Sequence, residues 1–470
     1  MDDGIEARFA PFAAKMESEG LPALAIRTFR HYYAQLCAGE SGLLPESALA
    51  PVRELPDLAS LDAYAGAGRD ALDAAVAIKL NGGLATSMGM TRAKSLLSVK
   101  GGHTFLDVIA GQVEHLRREA GCALPLLLMN SFRTREDSLA ALAPHALDVP
   151  GLPLDFVQHK VPRIAKEGLA PVAWPAAPEL EWCPPGHGDL YTALVTSGAL
   201  GALRARGFRY AFVSNADNLG ATLDLRILGW VAREGVPFAM EATERTRADR
   251  KGGHLALRRA DGQLVLRESA QCPPGDVDAF QDVERHRYFN TNNLWIDLDA
   301  LAHALDACDA VLGLPMIRND KRVDPLDPAS PVGIQLETAM GAAIGVIDGA
   351  RALRVPRARF APVKTTNDLL VVMSDAYVLG DGWRVERAPE AAPDLVVDLD
   401  PEHYQRIDQF EARFPDGAPS LVGCRSLRVR GDVRFGRGVV CRGDVVVEAA
   451  AGEARAIEAG ARLAGPDAAS

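Results

Sequence analysis

The chain has 470 residues, 48% of them apolar and 24% charged, enough to bury the cores of two or three domains. A net charge of −11 and a pI of about 5.5 argue against duplex nucleic acid or an anionic membrane as the primary partner. Any anion site has to be gathered locally from a minority of basic groups.

The opening residues, "MDDGIEARFAPFAAKMESEG", are acidic and amphipathic. They lack the basic head and apolar core of a signal peptide, and no apolar run approaches the length of a membrane span. Seven cysteines, an odd number with no CxxC, point away from a disulfide framework or a zinc site and toward a reducing cytoplasm. Residues 1–70 read as a helical segment that ends in a Pro-broken linker.

From Ala74 the pattern changes to short apolar runs alternating with helical periods. Strands are expected at 74–80, 124–130, 154–159, 210–215 and 238–243. Between the first two lies a helix with Leu106, Ile109, Val113 and Leu116 on one face. Thr104 and Asp107 have capping-box spacing at its start. Such alternation implies a largely parallel α/β sheet covered on both faces, with ligands held beyond the carboxyl ends of the strands. Two further β-rich runs, 254–269 and 287–298, suggest a hairpin region inserted after the first half. The tail, "SLRVRGDVRFGRGVVCRGDVVVE" (426–448), fits either β-helix rungs or an antiparallel meander. Its open strand edges are able to pair between chains, so a homo-oligomer through this β domain is one expectation. The implied division is 1–70, a nucleotide-binding α/β unit at 71–385, and a linker with a small β domain at 386–470.

The stretch "KLNGGLATSMGMTRAKS" (79–95) follows directly on the first strand. It is not a Walker loop, because Ala93 stands where a glycine should precede Lys94, and its glycine spacing is not that of a dinucleotide fold. Gly82 and Gly83 still allow a close backbone approach to a ligand, successive N–H groups make an anion nest, and Lys94 adds a full charge. Asn215, Asp217 and Asn218 follow the strand at 210–215. One carboxylate completed by phosphates and water is how Mg²⁺ is commonly held at nucleotide sites, whereas an Asx turn capping the next helix is the plainer alternative. His187 lies between two glycines after Pro-Pro, and Lys364 follows a short apolar run.

These segments together resemble one family, the UTP–glucose-1-phosphate uridylyltransferases of the eukaryotic-like type. The matching stretches include "KLNGGLATSMG", "FVQHKVPRI", "PPGHGDLY", "FVSNADNLGATLDL", "FNTNNLWIDL" and "RFAPVKTTNDLLVVMSD", in the family's order across residues 78–378. The resemblance implies a Rossmann-like, GT-A-like nucleotidyltransferase mixed sheet with a C-terminal β-helix. It implies synthesis of UDP-glucose and pyrophosphate from UTP and glucose 1-phosphate, with Mg²⁺ and no covalent intermediate. By resemblance, Leu80, Asn81, Gly82, Gly83, Gln158, Gly186, Asn215 and Lys251 hold the nucleotide. Lys94 and Lys364 stabilise the transferring phosphates, and Asp217 binds the metal. His187, Glu268, Asn290 and Asn292 take the sugar phosphate. The chain departs from the family at Ala85, where a glycine is usual, and at Arg92-Ala93, where Gly-Pro is usual. Ala85 can still serve if its φ is negative. The same chemistry on N-acetylglucosamine or galactose 1-phosphate, or a non-catalytic nucleotide-sugar binder, are the alternatives.

Overall fold

The computed structural model describes residues 2–246, 249–325 and 327–465. Two helices open the chain, α1 (Asp2–Ser18) and α2 (Ala23–Cys37). Phe29, Tyr33 and Leu36 recur on one face of α2 at helical spacing. They pack with Phe9 and Phe12 of α1 against Val161 and Leu336, so the helical segment is seated on the body of the protein.

The centre is a mixed sheet. Its strands in chain order are β1 (Leu49–Pro51), β2 (Ala75–Asn81), β3 (Leu126–Asn130), β4 (Asp155–Val157), β5 (Tyr210–Asn215), β6 (Phe238–Glu244), β7 (His254–Arg258), β8 (Leu264–Arg267), β9 (Tyr288–Asp297) and β10 (Arg351–Arg354). Among the described residues they form one sheet with the spine β1-β7-β9-β5-β2-β3-β4. β5, β2, β3 and β4 are mutually parallel. In β2, Val76 and Ile78 enter one core, while Ala75 and Ala77 enter the core on the opposite face, as the two-residue period of a strand requires. Burial on both faces is why this strand reads as an unbroken apolar run. The five expected strands lie within two residues of their observed ends.

Helix α3 (Phe105–Ala120) joins β2 to β3 and starts with the expected capping box. Thr104 Oγ1 accepts from the Asp107 N–H at 3.1 Å, and Asp107 Oδ2 accepts from the Thr104 N–H at 2.7 Å. Gly121, at φ 67°, closes it. No helix among the described residues is long and apolar enough to cross a membrane.

Two expectations need correction. Residues 254–267 do form a hairpin, β7–β8, but 287–298 does not belong to it. That run is β9, which meets β7 where Phe289 faces His254 and otherwise lies antiparallel between β5 and β6, so the sheet is mixed, as the family resemblance implies, rather than largely parallel. Within β9 lies the polar "NTNN". In the fold these groups are buried and satisfied by one another and by neighbouring strands.

The tail carries β11 (Val396–Leu399), β12 (Cys424–Arg430), β13 (Asp432–Phe435), β14 (Val440–Glu448), β15 (Ala454–Ile457) and β16 (Arg462–Ala464). Every strand pairing among them is parallel, which removes the antiparallel meander. Leu427, Val429, Phe435 and Cys441 form its interior, and the same core continues into Met88, Leu97 and Val99 of the segment after β2.

Candidate active site

The parallel strands deliver their carboxyl ends to one cleft of about 330 Å³. β2 contributes Leu80, Asn81, Gly82 and Gly83, β4 leads to Gln158, and β5 leads to Asn215 and Asp217. Lys94 and the turn carrying Gly186 and His187 complete the wall. The strand ends are tied together where the cleft begins, since the Ala216 N–H donates to the Leu80 carbonyl at 3.0 Å.

At one end, Gln158 Nε2 donates to the Gly186 carbonyl at 3.0 Å. A Cβ on Gly82 would lie 2.8 Å from Gln158 Oε1, and one on Gly186 would lie 2.4 Å from the Thr338 carbonyl. Gly186 also has φ +81°, a region that side chains resist. Gly186 is therefore demanded by this end of the cleft, and a side chain at Gly82 would push the Gln158 amide aside. The Asn81 amide donates to Asn130 Oδ1 and Ser138 Oγ, both at 2.8 Å. Its nitrogen thus locks β2 to the segment after β3.

The glycine-rich loop turns through Ala85 at φ 48°, ψ 46°. That φ is not negative, and alanine holds the left-handed position itself. The Ala85 carbonyl accepts from the Met88 N–H at 2.8 Å, closing the turn that requires this conformation. Gly89 follows at φ +70°, with the Arg406 guanidinium 3.1 Å from where a Cβ would sit. Arg92, at the other departure, is exposed and pairs with Asp137 at 3.3 Å.

In the middle of the cleft Lys94 Nζ lies 2.7 Å from Asp217 Oδ2. The sequence gives these residues separate partners, and here they neutralise each other. His187 sits beside them. Its Nδ1 accepts from the Met340 N–H at 3.0 Å, which leaves Nε2 as the protonated nitrogen. Burial pushes its pKa down to about 4, so near neutral pH the ring is an uncharged donor.

The remaining expected residues, Lys364, Glu268, Asn290, Asn292 and Lys251, are not among those that line this cleft. Lys364 is exposed, its ammonium 5.9 Å from the centre of the Phe360 ring. It follows Val363, whose N–H donates to the Asp217 carbonyl at 3.1 Å. Burial raises the Glu268 carboxyl, and the charge of Lys364 draws it back. Gly253 leaves room for that carboxylate, because a Cβ there would lie 2.6 Å from Oε2. Asn290 Nδ2 donates to Asn292 Oδ1 at 2.8 Å, and Asn292 takes φ 58°. The two asparagines thus hold a bulged stretch of β9 open beside Gly341. Lys251 is exposed at the turn before β7 and does not line the cleft.

Beneath the cleft lie groups that the motifs did not reveal. Lys79 is 3% exposed, with Nζ donating to Ser214 Oγ at 2.6 Å and to the Ala221 carbonyl at 2.8 Å. Burial pushes its pKa down to about 7. Arg359 and Glu241 form a buried two-point pair at 2.6 Å for each bond. The available signal was a charged residue inside an apolar strand, as in "AAVAIKL" and "FAMEAT". Such a residue survives burial only when it is paired.

A glycine-rich loop, a lysine and a single carboxylate in one cleft suit a phosphate chain that travels with a cation. Among the described residues no group of three His, Cys, Asp or Glu could hold a metal ion by itself. A family model described as UTP–glucose-1-phosphate uridylyltransferase matches residues 26–442. The protein of that name from Hordeum vulgare is 41% identical over 427 residues, 90% of this chain and 86% of its own. The one from Saccharomyces cerevisiae is 42% identical over 371 residues, 79% of this chain and 73% of its own. Among solved structures, a UDP-glucose pyrophosphorylase mutant from Leishmania major in complex with UDP-glucose superposes with a TM-score of 0.88 at 44% identity, covering 97% of this chain and 98% of that one.

Proposed function

This chain belongs to the UTP–glucose-1-phosphate uridylyltransferase family, and from that premise we propose how its cleft transfers the uridylyl group of UTP to glucose 1-phosphate. The enzyme makes UDP-glucose and pyrophosphate. An oxygen of the sugar phosphate attacks the α-phosphorus in line, and pyrophosphate leaves. That oxygen is already anionic near neutral pH, so no base is required. The work is to bring two polyanions together and stabilise the charge that shifts between them.

Gln158, Gly82 and Gly186 frame the uracil, with an amide to match its donor and acceptor edge. Leu80, Asn81, Gly83 and Asn215 hold the ribose and first phosphate. Lys94 meets the triphosphate, Lys251 adds charge from the far side, and Lys364 faces the developing charge on the α-phosphoryl group. The neutral His187 donates from Nε2 to the sugar phosphate. Glu268, Asn290 and Asn292 take glucose hydroxyls.

Asp217 is the proposed ligand for Mg²⁺. A lone carboxylate beside a phosphate site is a fitting donor set, since this ion keeps waters and takes phosphate oxygens. When bound it supplies charge neutralisation at the phosphates. Lys94 releases Asp217 as the triphosphate takes its place. The sheet is read as the GT-A-like nucleotidyltransferase type, and the parallel tail as β-helix-like and able to pair between chains. The division at about residues 70 and 385 and a cytoplasmic setting belong to the same reading.

The observation that carries this function is the meeting of Lys94 and Asp217 at 2.7 Å in the cleft whose other end is framed by Gln158 and Gly186. The test is pyrophosphate release from UTP and Mg²⁺, with glucose 1-phosphate run against its N-acetylglucosamine and galactose counterparts. Release with glucose 1-phosphate alone, reduced about 10²–10³-fold by Lys364→Ala, is the expected result. Preference for another sugar overturns the substrate, and full activity in Lys364→Ala overturns the role of that lysine.

A further inference from the structure

Asn218 follows the proposed metal ligand and is 4% exposed. Its amide is fully engaged. Oδ1 accepts from the Ala361 N–H at 2.9 Å and the Gly220 N–H at 3.2 Å. Nδ2 donates to the Arg359 carbonyl and to Asn293 Oδ1, both at 3.2 Å. One side chain therefore joins three separate stretches: the turn after β5, the segment 359–363 leading to Lys364, and β9.

The junction stands on a rigid base. The Arg359 guanidinium is held by Glu241, and its Nη2 also donates to the Thr222 carbonyl at 2.8 Å. Glu241 accepts in turn from Asn293 Nδ2 at 3.1 Å and Trp295 Nε1 at 2.9 Å. The two loops approach backbone to backbone, since a Cβ on Gly220 would lie 2.3 Å from the Ala358 carbonyl. Above this base, Asn218 and Pro362 form an isolated antiparallel bridge, next to the bond between Val363 and the Asp217 carbonyl. The next residue is Lys364. Asn293 backs this link from β9, its Oδ1 accepting from Asn218 and its Nδ2 donating to the Arg359 carbonyl at 3.2 Å.

We propose that Asn218 is a positioning residue for uridylyl transfer, setting the span between Asp217 and Lys364. The inference rests on the role given to Lys364 above. Misplacing a stabilising group by about 1 Å costs on the order of 10²-fold in rate, and a surface lysine keeps its distance through the contacts of the backbone that carries it.

The test is a kinetic cycle of Asn218→Ala, Lys364→Ala and the double variant. Asn218→Ala alone is expected to lower kcat about 10–100-fold with the KM for UTP changed by less than about threefold. In the Lys364→Ala background the same change should alter kcat by less than about threefold, because the group it positions is gone. Losses that multiply, or an effect confined to KM, would overturn the proposal. Lys364→Ala with full activity would instead sink the reading of Lys364, so the two failures are distinguishable. Thermal melting establishes that each variant is folded. If the alanine variant is not, the isosteric Asn218→Asp replaces it. Asn218→Asp keeps an acceptor for the Ala361 and Gly220 N–H groups but loses both donations of Nδ2, and the same cycle with Lys364→Ala should show the same non-additivity.

Discussion

Ala85 shows how a single departure in sequence changes the physics of a loop. A side chain in the left-handed region costs roughly 1–2 kcal/mol. Glycine would remove that strain and return about 0.5–1 kcal/mol through the greater freedom of the unfolded chain. Ala85→Gly should therefore stabilise the protein by about 0.5–1 kcal/mol, seen as a small upward shift in melting temperature. An unchanged or lower melting point would mean that the turn is held by something other than its backbone. Gly82 and Gly186 are the opposite case, since a methyl group at either would strike Gln158 or Thr338. The glycines, Gln158, Lys94 and Asp217 were legible because motif and strand end coincide. The conformation of Ala85 was not, because φ depends on which carbonyl the next turn must close upon.

At the scale of the element, helix α4 (Thr366–Met373) begins two residues after Lys364. Its start is a capping box in which Asp368 Oδ2 accepts from the N–H groups of both Thr365 and Lys364 at 2.8 Å. The cap thus fixes the backbone of Lys364 itself. Asp368→Ala should cost about 1 kcal/mol of stability. It should also lower kcat several-fold with little change in the KM for UTP, as paired melting and steady-state measurements would show. A stability loss with kcat intact would detach the cap from the chemistry. The strands of the parallel half were readable because each is a short apolar run closed by polar residues. β9 was misjudged because sequence gives a strand's pattern but not its neighbours. Its asparagines are polar toward solvent in pattern and are satisfied by Glu241 and by one another in the fold.

Over the whole molecule, the apolar interior does not stop at the tail. Met88, Leu97 and Val99, which flank the nucleotide loop, share one core with Leu427 and Phe435 of the parallel strands. Sequence distance hides this, because the partners lie more than 300 residues apart. Global stability also carries a pH signature. Burial holds His187, His254 and His286 below their ordinary value. His254 and His286 stack with ring centres 3.9 Å apart, and Glu46, bonded to His286, opposes its shift. These rings stay neutral when folded and take protons when unfolded once the pH falls below about 6.5. Stability should therefore fall between about 6.5 and 4, whereas Lys79, held down to about 7 by burial, makes it rise with pH above that value. The carboxylates held down by arginines, such as Asp224 and Asp249, let go only below their own depressed range. Melting followed from pH 8 to 4.5 checks this, and a constant melting point through pH 5 would contradict it.

The contact between Lys94 and Asp217 has a consequence for life in a crowded cell. Cells are rich in small anions, and an unattended lysine in a cleft would collect them indiscriminately. Closed upon a carboxylate, it offers a solitary anion no net attraction and must be prised away at the expense of a good bond. A visitor that arrives as a package, negative chain and positive escort together, replaces both halves of the pair at once. The resting cleft is in this sense a filter for composition rather than for charge, and a net-anionic protein can keep a polyanion site in readiness without fouling it.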